Sequence, residues 1–352
     1  TQVVSTFNDT QREIPNTTLP ELFAAQVERT PDAIALIFGD EEVSYRELDA
    51  RANQLARYLI SEGIGPEDIV AIALDRSIEM VVSLLGFLKS GAAYLPLDPE
   101  YPVERLHFML TDSNAKRLIT TIEVYERLLG EADSARTSSA YPDAPAMSYQ
   151  RADAISSVFS SSIGSCADAL PIALLLDDEV LQAELATLSN ALIADKDRVQ
   201  PLTPDNLAYV IYTSGTTGKP KGVATTVSDI VALAYQPTYC EITPASVILQ
   251  YAPISFDAAT FEIWGALLNG AELALAPSGQ PDLIVLSEFM RRRPITTAWL
   301  TAGLFASVVE NNASLFNGMK HLITGGDVVS SVCVRKLKAF YPDLMIYNGY
   351  GP

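Results

Sequence analysis

Residues 212–222 have the sequence Tyr-Thr-Ser-Gly-Thr-Thr-Gly-Lys-Pro-Lys-Gly and follow the apolar run 207–211, which predicts a buried strand. The eleven residues contain three glycines, four Ser or Thr hydroxyls and two lysines. Glycines let backbone N–H groups converge on an anion, and hydroxyls and lysines add donors and positive charge. The stretch therefore predicts a phosphate-binding loop, although clusters of Gly, Ser and Thr also form plain exposed turns. It is not a Walker P-loop, because Pro220 follows Lys219 where Ser or Thr is required.

Strands and helices alternate on both sides of this loop. Apolar runs at 33–38, 69–74 and 117–121 predict strands, and helical patterns such as 45–59 lie between them. This alternation predicts an α/β fold with doubly wound, mostly parallel sheets. A chain of 352 residues is too long for one simple core, so two or more subdomains are expected.

The composition excludes several classes of function. A net charge of −19 argues against nucleic acid or an anionic membrane as the main partner, and no run of eighteen apolar residues occurs. Cys166, Cys240 and Cys333 are few, odd in number and widely spaced, which indicates reduced thiols in a cytoplasmic protein. With only His107 and His321, a histidine-rich metal site is not expected.

Residues 131–170 interrupt the pattern. Ser, Ala, Asp and Pro dominate there, and no helical or strand period persists. A disordered surface insertion is the leading interpretation, and a garbled gene sequence is the alternative. Regular structure is expected to resume at 172–176.

The lysine-bearing loop resembles the signature of the adenylate-forming superfamily, which includes acyl-CoA ligases, luciferase-like enzymes and the adenylation domains of nonribosomal peptide synthetases. Residues 84–99 resemble a core motif of the last group, and the similarity covers nearly the whole chain except about 131–170. It implies two similar subdomains in 17–352, the N-terminal core of an adenylation domain. Residues 1–16 resemble the linker after a condensation domain, or are a frayed terminus. Since the chain stops at Pro352, the small C-terminal domain of the family is expected to be absent.

Residues 255–264, Ser-Phe-Asp-Ala-Ala-Thr-Phe-Glu-Ile-Trp, place Asp257 among apolar side chains with no basic residue nearby in sequence. An unpaired buried carboxylate is costly, so Asp257 needs a cationic partner or exposure. In peptide-synthetase adenylation domains, which this stretch resembles, the aspartate at this position binds the α-amine of the amino acid. The resemblance therefore implies an amine anchor, and a helix N-cap at Asp257 is a compatible alternative.

The same resemblance implies a pocket for the substrate side chain. Its residues in this chain are Ala258, Phe261, Trp299, Ile323, Gly325 and Gly349. Two large aromatics and a branched aliphatic leave a small apolar cavity, and the set resembles the valine-type specificity pattern. Isoleucine is the nearest competitor, because one methylene is worth only ~1–3 kcal/mol. Without the resemblance, plain core packing would explain Phe261 and Trp299.

The resemblance also implies a nucleotide site. Two turns after apolar strands, 325–327 and 347–352, bracket the adenine and the acyl phosphate in the family, although either could be a mere strand-ending turn. The helix from Ser228 to about Ala234 is expected to begin over the phosphates, and Val227 replaces a frequent histidine of the family. The candidate catalytic residues are Thr213, Ser214, Thr216, Thr217 and Lys219. The candidate nucleotide-binding residues are Gly215, Gly218, Lys221, Gly222, Gly325, Gly326, Asn348, Tyr350 and Gly351. No metal ligand is assigned.

The implied reaction is attack of an amino-acid carboxylate on the α-phosphate of ATP, which releases pyrophosphate and leaves an aminoacyl-AMP. ATP and Mg²⁺ are the implied cofactors. The implied partners in the parent synthetase are a condensation domain and a carrier protein that bears phosphopantetheine. Without the C-terminal parts, the chain alone is expected to be impaired. Two alternatives stay open: an acyl- or aryl-CoA ligase, which Asp257 disfavours, and a non-catalytic fragment that binds ligand or nothing.

Overall fold

The computed structural model describes residues 9–126, 171–214, 219–279 and 283–349, so the atypical stretch 131–170 lies outside the described residues. The strands are β1 Ile34–Phe38, β2 Glu41–Ser44, β3 Ile69–Ala73, β4 Ala93–Pro96, β5 Arg117–Thr120, β6 Ile172–Leu175, β7 Leu207–Thr213, β8 Lys221–Thr226, β9 Val247–Gln250, β10 Glu272–Leu275, β11 Thr297–Thr301, β12 His321–Gly325 and β13 Met345–Gly349. The helices are α1 Leu19–Arg29, α2 Tyr45–Ser61, α3 Ile78–Ser90, α4 Val103–Asp112, α5 Glu179–Thr187, α6 Val227–Ala234, α7 Ala258–Leu267, α8 Leu283–Arg292, α9 Ala302–Asn311 and α10 Ser331–Phe340.

The strands form two sheets. One has seven strands in the order β13-β12-β11-β9-β10-β1-β2, and the other has six in the order β6-β5-β3-β4-β7-β8. The described strand pairs are parallel except β1–β2 and β7–β8, which are antiparallel. The predicted α/β fold with mostly parallel sheets is therefore confirmed.

Short polar and glycine residues set the helix ends where the sequence indicates. The Ser44 and Ser77 hydroxyls accept hydrogen bonds from backbone N–H groups three residues on, which caps α2 and α3. Gly91 ends α3 with φ of +100°, and an added Cβ would lie 2.8 Å from the Cδ of Pro66. Only glycine tolerates both the left-handed backbone and this close approach, so α3 turns directly into β4.

The two sheets share one hydrophobic core, and α7 lies in it. Trp264 on α7 is fully buried, and its indole N–H donates to the hydroxyl of Tyr94 on β4 at 3.4 Å. The same core cluster contains Leu36 and Leu273 of the seven-stranded sheet and Ile211 of the six-stranded sheet. Because each large buried side chain contributes about 1.5–3 kcal/mol, this cluster is enough to hold the sheets together.

The side chain of Lys89 on α3 is buried. Its Nζ donates to Asp49 Oδ1 at 2.6 Å and to Asn53 Oδ1 at 2.7 Å, and it lies 5.7 Å from the centre of the Phe23 ring. Burial lowers the pKa of Lys89, and the negative charge of Asp49 opposes that shift. The backbone carbonyl of Lys89 accepts from Arg198 Nε at 2.8 Å. The buried ammonium group thus joins α1, α2 and α3, and the backbone carbonyl of the same residue binds the segment before β7.

We expect Lys89→Met to lower the free energy of unfolding by about 3 kcal/mol, because it leaves Asp49 and Asn53 without their cation. Urea unfolding measures the change. Arg46→Met is the matched control, since Arg46 pairs with Asp32 at 3.0 Å on the exposed surface, where such pairs contribute about 0–1 kcal/mol. Equal losses in the two variants would contradict a special role for the buried pair.

Candidate active site

The lysine-bearing loop connects the two strands of an antiparallel hairpin. β7 ends at Thr213 and β8 begins at Lys221, and these two residues lie opposite each other. Thr213, Ser214, Lys219 and Lys221 are all exposed, so their hydroxyls and ammonium groups are available to a ligand. The other four loop residues assigned from sequence, Gly215, Thr216, Thr217 and Gly218, lie outside the described residues. The phosphate-binding role of the loop remains a prediction.

Packing requires a glycine at residue 222, in addition to the predicted role of Gly222 in ligand binding. An added Cβ would lie 2.9 Å from Val210 Cγ1 and 3.3 Å from Tyr212 Cζ. The Tyr212 hydroxyl donates to Asp112 Oδ2 at 2.6 Å, which fixes this ring beneath the hairpin. A side chain at residue 222 would displace β8 from β7, so glycine keeps the hairpin closed.

The prediction that α6 begins over the phosphates is wrong. β8 runs away from the loop, and its last residue, Thr226, lies opposite Leu207 at the start of β7. With about 3.3 Å per strand residue, the start of α6 is ~20 Å along the hairpin from the loop. Val227, its first residue, is buried in the shared core, which explains an apolar side chain there.

A cleft of about 550 Å³ lies between the two sheets. Its walls are the segments that follow β3 and β4, residues 74–76 and 97–100, and those that follow β9 and β10, residues 250–255 and 276–279. The carboxyl ends of both sheets therefore face one cleft, where open parallel sheets usually bind ligands. The lysine-bearing loop follows β7, which pairs in parallel with β4, so it lies at this same edge.

Asp257 lies just beyond the cleft wall, directly before α7. It is exposed, its φ and ψ are −62° and −24°, and its side chain makes no cap hydrogen bond. Within the described residues, no hydrogen bond or ion pair engages its carboxylate. The physical requirement on Asp257 is thus met by exposure. Asp257 occupies the N-cap position of α7, as the alternative predicted, but its side chain does not cap the helix. Whether the carboxylate binds an amine stays a prediction.

The buried acid of this stretch is Glu262, which sequence reasoning overlooked. Its side chain is fully buried and accepts hydrogen bonds from the backbone N–H groups of Tyr251 and Ala252, each at 3.1 Å, and from Gln250 Nε2 at 3.3 Å. Burial raises the pKa of Glu262 to about 8, and the hydrogen bonds oppose that shift. The position of Glu262 among apolar residues 258–264 was the available signal for a buried carboxyl group.

Arg76 completes this network from the other sheet. It follows β3, and its Nε donates to Gln250 Oε1 at 2.8 Å. Its other nitrogens donate to the backbone carbonyls of Tyr251 at 2.7 Å and Pro277 at 2.7 Å. Burial lowers the pKa of Arg76, and the charge of Glu262 opposes the shift. Arg76 thus joins the two sheets across the floor of the cleft and fixes the segment that leads to Asp257.

The predicted side-chain pocket is assembled from three neighbouring strands and α7. Trp299, Ile323 and Tyr347 lie directly opposite one another on β11, β12 and β13, so their side chains share one face of the sheet. Phe261 of α7 packs on this row in one apolar cluster with Ile323 and Cys240. Four of the six predicted pocket positions, Phe261, Trp299, Ile323 and Gly349, therefore lie together in or beside one apolar cluster.

The glycines of the pocket allow a close approach of β12 and β13. Gly325 and Gly349 lie opposite each other, and an added Cβ at Gly325 would lie only 2.0 Å from the carbonyl oxygen of Gly349. A Cβ at Gly349 would lie 3.1 Å from Ile323 Cγ2 and 3.3 Å from Trp299 Nε1. Gly325 thus allows the two strands to approach, and Gly349 leaves room for Ile323 and Trp299. Ala258 is buried one helical turn before Phe261.

The nucleotide candidates near the chain end are only partly described. Gly326 has φ of +77°, and an added Cβ there would lie 3.9 Å from the Trp299 ring. Asn348 is exposed on β13, on the opposite face from Tyr347 because strand side chains alternate. Tyr350 and Gly351 lie outside the described residues. The nucleotide roles of this group remain predictions.

Sequence reasoning missed a second layer of the pocket. The Tyr239 ring lies 6.1 Å from that of Phe261, and neighbouring Cys240 is a free, buried thiol whose pKa burial raises to about 12. His321 Nδ1 and the Tyr347 hydroxyl lie 3.0 Å apart. Tyr239 and Cys240 belong to the irregular segment between α6 and β9, where no periodicity could identify them.

Residues 23–352 match the family described as AMP-binding enzyme. The chain belongs to this family. It is 41% identical over 346 residues to a linear gramicidin synthase of Brevibacillus parabrevis, covering 98% of this chain and 4% of that protein. It is 36% identical over 355 residues to surfactin synthase subunit 2 of Bacillus subtilis, covering 100% of this chain and 8% of that protein. The chain thus spans less than a tenth of the length of these two relatives.

Solved structures of family members have the same fold. The N-terminal subdomain of Klebsiella oxytoca NpsA, in complex with 3-hydroxybenzoyl-AMSN, is 26% identical with a TM-score of 0.74, over 96% of this chain and 73% of that one. An NRPS protein containing adenylation and PCP domains is 28% identical with a TM-score of 0.74, over 96% of this chain and 50% of that one. The described residues thus have the architecture of the N-terminal core of such adenylation domains.

Among the described residues, no helix is long and apolar enough to cross a membrane. In the same part of the chain, no group of three or more His, Cys, Asp or Glu side chains could hold a metal ion.

We expect Gly325→Ala to destabilise the chain by about 1–3 kcal/mol, because its Cβ would overlap the carbonyl oxygen of Gly349 and force β12 from β13. Gly303→Ala is the matched control. Gly303 lies in α9, and an added Cβ there would meet nothing within 4 Å, so alanine should be neutral or stabilise by about 0.5–1 kcal/mol. Thermal unfolding measures both, and an unperturbed Gly325→Ala variant would refute the close approach.

We expect Glu262 to make the chain less stable as the pH rises from about 5 to 8. Its pKa is raised to about 8 in the folded state and is about 4.3 when unfolded, so the folded state keeps a proton that the unfolded state releases. The contribution of protonated Glu262 to the free energy of unfolding is complete below about pH 4 and is lost as the pH rises to about 8. In Glu262→Gln this dependence should vanish. Thermal unfolding across this pH range compares the two proteins, and parallel profiles would show that Glu262 stays ionised when buried.

Proposed function

We propose that this chain is the N-terminal core of an adenylation domain that activates an α-amino acid, L-valine or a similar small branched aliphatic, as its aminoacyl-AMP. The observation that carries the proposal is the Asp257 carboxylate, which has no partner among the described residues and lies about one helical turn before Phe261, where Phe261 packs with Trp299 and Ile323 in one apolar cluster. An exposed anion next to an apolar cavity suits one kind of small molecule, an ammonium group attached to an apolar side chain.

The amine end of the substrate is assigned to Asp257. Its carboxylate is exposed and has no partner within the described residues, so an ammonium can form charge-assisted hydrogen bonds without displacing a protein group. Ala258 and Phe261 follow on the first turn of α7. The helix therefore presents the amine anchor and the pocket wall within one turn, close to the span of an amino acid from its nitrogen to its side chain.

The side-chain pocket supports a small apolar substrate. Phe261, Ile323 and Cys240 are buried together, and Trp299 and Tyr347 pack against them. None of these five side chains carries a charge at neutral pH, so a charged substrate side chain would be desolvated without compensation. The bulky walls limit the volume, which favours valine or isoleucine over phenylalanine.

The nucleotide is assigned to the lysine-bearing loop. Lys219 and Lys221 are exposed on either side of Pro220 in a chain whose net charge is −19, so they form a local positive site for phosphates. Thr213 and Ser214 add exposed hydroxyls at the end of β7. The loop lies at the sheet edge that faces the cleft, where ATP could meet the amino-acid carboxylate.

The chemistry assigned to the chain's own residues is positioning. Asp257 orients the amine, the pocket fixes the side chain, and the loop binds the phosphates, so that the substrate carboxylate faces the α-phosphate. No protein nucleophile is needed. Mg²⁺ would be bound together with the phosphates of ATP, as this ion commonly is.

The partners are inferred from the relatives. The linear gramicidin and surfactin synthases are much longer than this chain, and one similar structure contains adenylation and PCP domains. We infer that a carrier protein with phosphopantetheine receives the aminoacyl group and that residues 1–16 link to a condensation domain. The chain alone would then be an impaired catalyst.

An aryl-acid adenylating enzyme is the second candidate. The N-terminal subdomain of Klebsiella oxytoca NpsA is in complex with 3-hydroxybenzoyl-AMSN, so a protein of similar fold accepts a molecule that carries an aryl group. An aryl acid has no ammonium, however, and would leave Asp257 without a partner. A non-catalytic fragment that binds ligand or nothing is the third candidate, and ligand-dependent thermal unfolding separates all three.

We expect valine and isoleucine, together with Mg-ATP, to raise the midpoint of thermal unfolding, whereas phenylalanine, benzoate and simple fatty acids should not. A ligand at ~100 times its Kd adds ~2.7 kcal/mol to the stability of the folded state, which shifts the midpoint visibly. A shift with benzoate alone would favour the aryl-acid candidate. No shift with any ligand would leave a fragment without a working site.

Two substitutions control this experiment. Asp257→Ala should abolish the shift with valine while ATP alone still binds, because only the amine anchor is removed. Lys219→Ala should weaken ATP binding instead. Equal loss of both ligands in Asp257→Ala would contradict its role, and unchanged ATP affinity in Lys219→Ala would remove this lysine from the phosphate site.

A further inference from the structure

Arg12 lies in the irregular segment before α1, outside the residues 23–352 that match the family. Its side chain forms hydrogen bonds with the end of α6. Its Nη1 donates to the backbone carbonyls of Tyr235 at 2.9 Å and Gln236 at 2.8 Å, and its Nη2 donates to that of Ala232. The last carbonyls of a helix lack intrahelical partners and carry partial negative charge. A guanidinium there satisfies several of them at once.

The chain leaves α6 along a fixed path. Gln236 has φ of +45°, a left-handed conformation that a side chain rarely adopts. Its backbone N–H donates to Asn269 Oδ1 at 2.8 Å, and Asn269 Nδ2 donates to the carbonyl of Ala234 at 2.7 Å. Arg12 and Asn269 therefore hold this turn from two sides.

The segment beyond this turn is the second layer of the pocket. The Tyr239 hydroxyl donates to the carbonyl of Leu233 in α6 at 2.8 Å, and its ring lies 6.1 Å from that of Phe261. Cys240 packs with Phe261 and Ile323. The Tyr239 side chain is partly exposed, and its contacts with Leu233 and Phe261 place it between the end of α6 and the pocket cluster.

We propose that Arg12 is a positioning residue for amino-acid selectivity: it fixes the end of α6, and through Tyr239 and Cys240 it sets the position of the pocket wall. The inference rests on the proposed function and adds a selectivity determinant outside residues 23–352. Cys240 is buried in one cluster with Phe261 and Ile323. Because protein interiors are close-packed, a displaced Cys240 shifts these two side chains. The lead-in segment thereby becomes part of the amino-acid site.

The competing explanation is that Arg12 only stabilises the fold. Arg57 offers a matched control for that explanation. Its Nε donates to the carbonyl of Ser189 at 3.0 Å, and its Nη2 donates to those of Ala191 at 3.0 Å and Leu192 at 3.3 Å. Arg57 thus makes the same kind of contact on a different segment, 189–192, which contributes no residue to the pocket cluster.

The test is isothermal titration of the chain with valyl-, alanyl- and leucyl-sulfamoyladenosine, which are stable analogues of the aminoacyl-AMP. In Arg12→Ala we expect the preference for the valyl probe over the other two to fall by about 3- to 10-fold, the range for residues that act through packed neighbours. The Kd for ATP should not change. Arg12→Lys should restore only part of the preference. Lysine keeps the positive charge, but its ammonium group lacks the planar fork with which guanidinium binds several carbonyls. Arg57→Ala should lower the unfolding midpoint and keep the wild-type preference.

An unchanged preference in Arg12→Ala, with or without a lower unfolding midpoint, would overturn the inference and leave Arg12 a structural residue. An equal change in Arg57→Ala would overturn it too. If Arg12→Ala does not fold, Tyr239→Phe removes only the hydroxyl bond to Leu233, and an unchanged preference there would overturn the inference as well. A wild-type chain that binds no aminoacyl probe would refute the proposed function, and the inference with it.

Discussion

The burial of α7 between the two sheets is the constraint on which the site depends. Trp264 fixes the helix in the shared core, and Glu262 fastens its first turns to the segment after β9. Once these contacts are made, the start of the helix can only project at the carboxyl edge of the sheets. Asp257 is exposed there because the rest of its helix is buried. A packing requirement thus produces the geometry of a binding site.

The two acids of one short stretch have opposite environments. Glu262 is fully buried and bound to backbone N–H groups, and burial raises its pKa to about 8, whereas Asp257 remains in solvent without a partner among the described residues. A buried carboxyl group supports structure, since its acceptor atoms are used within the protein. A free carboxylate can receive a ligand. The assignment of roles therefore follows from position: Glu262 lies within the buried helix α7, and Asp257 lies just before its first residue.

Much of the fold could be predicted from sequence because local signals and global packing agree. Ser77 and Gly91 bound α3 where the sequence indicates, and alternating apolar runs gave the two mostly parallel sheets. The placement of α6 could not be predicted, since the antiparallel turn of β8 reverses the chain away from the loop. The pocket row was found only through family resemblance. The register of β11, β12 and β13 depends on long-range pairing, which no local pattern specifies.

The residues behind the predicted pocket show that the residues matched to a family can be fewer than those that support its site. Phe261 and Ile323 pack against Cys240, the Phe261 ring lies beside that of Tyr239, and the Tyr239 hydroxyl is bonded to the end of α6. That helix end is held by Arg12, which precedes the matched residues. Close packing transmits position across such layers without any contact to the ligand. With the proposed role of Arg12, selectivity is a property of the wall and its support together, and the support includes the lead-in segment.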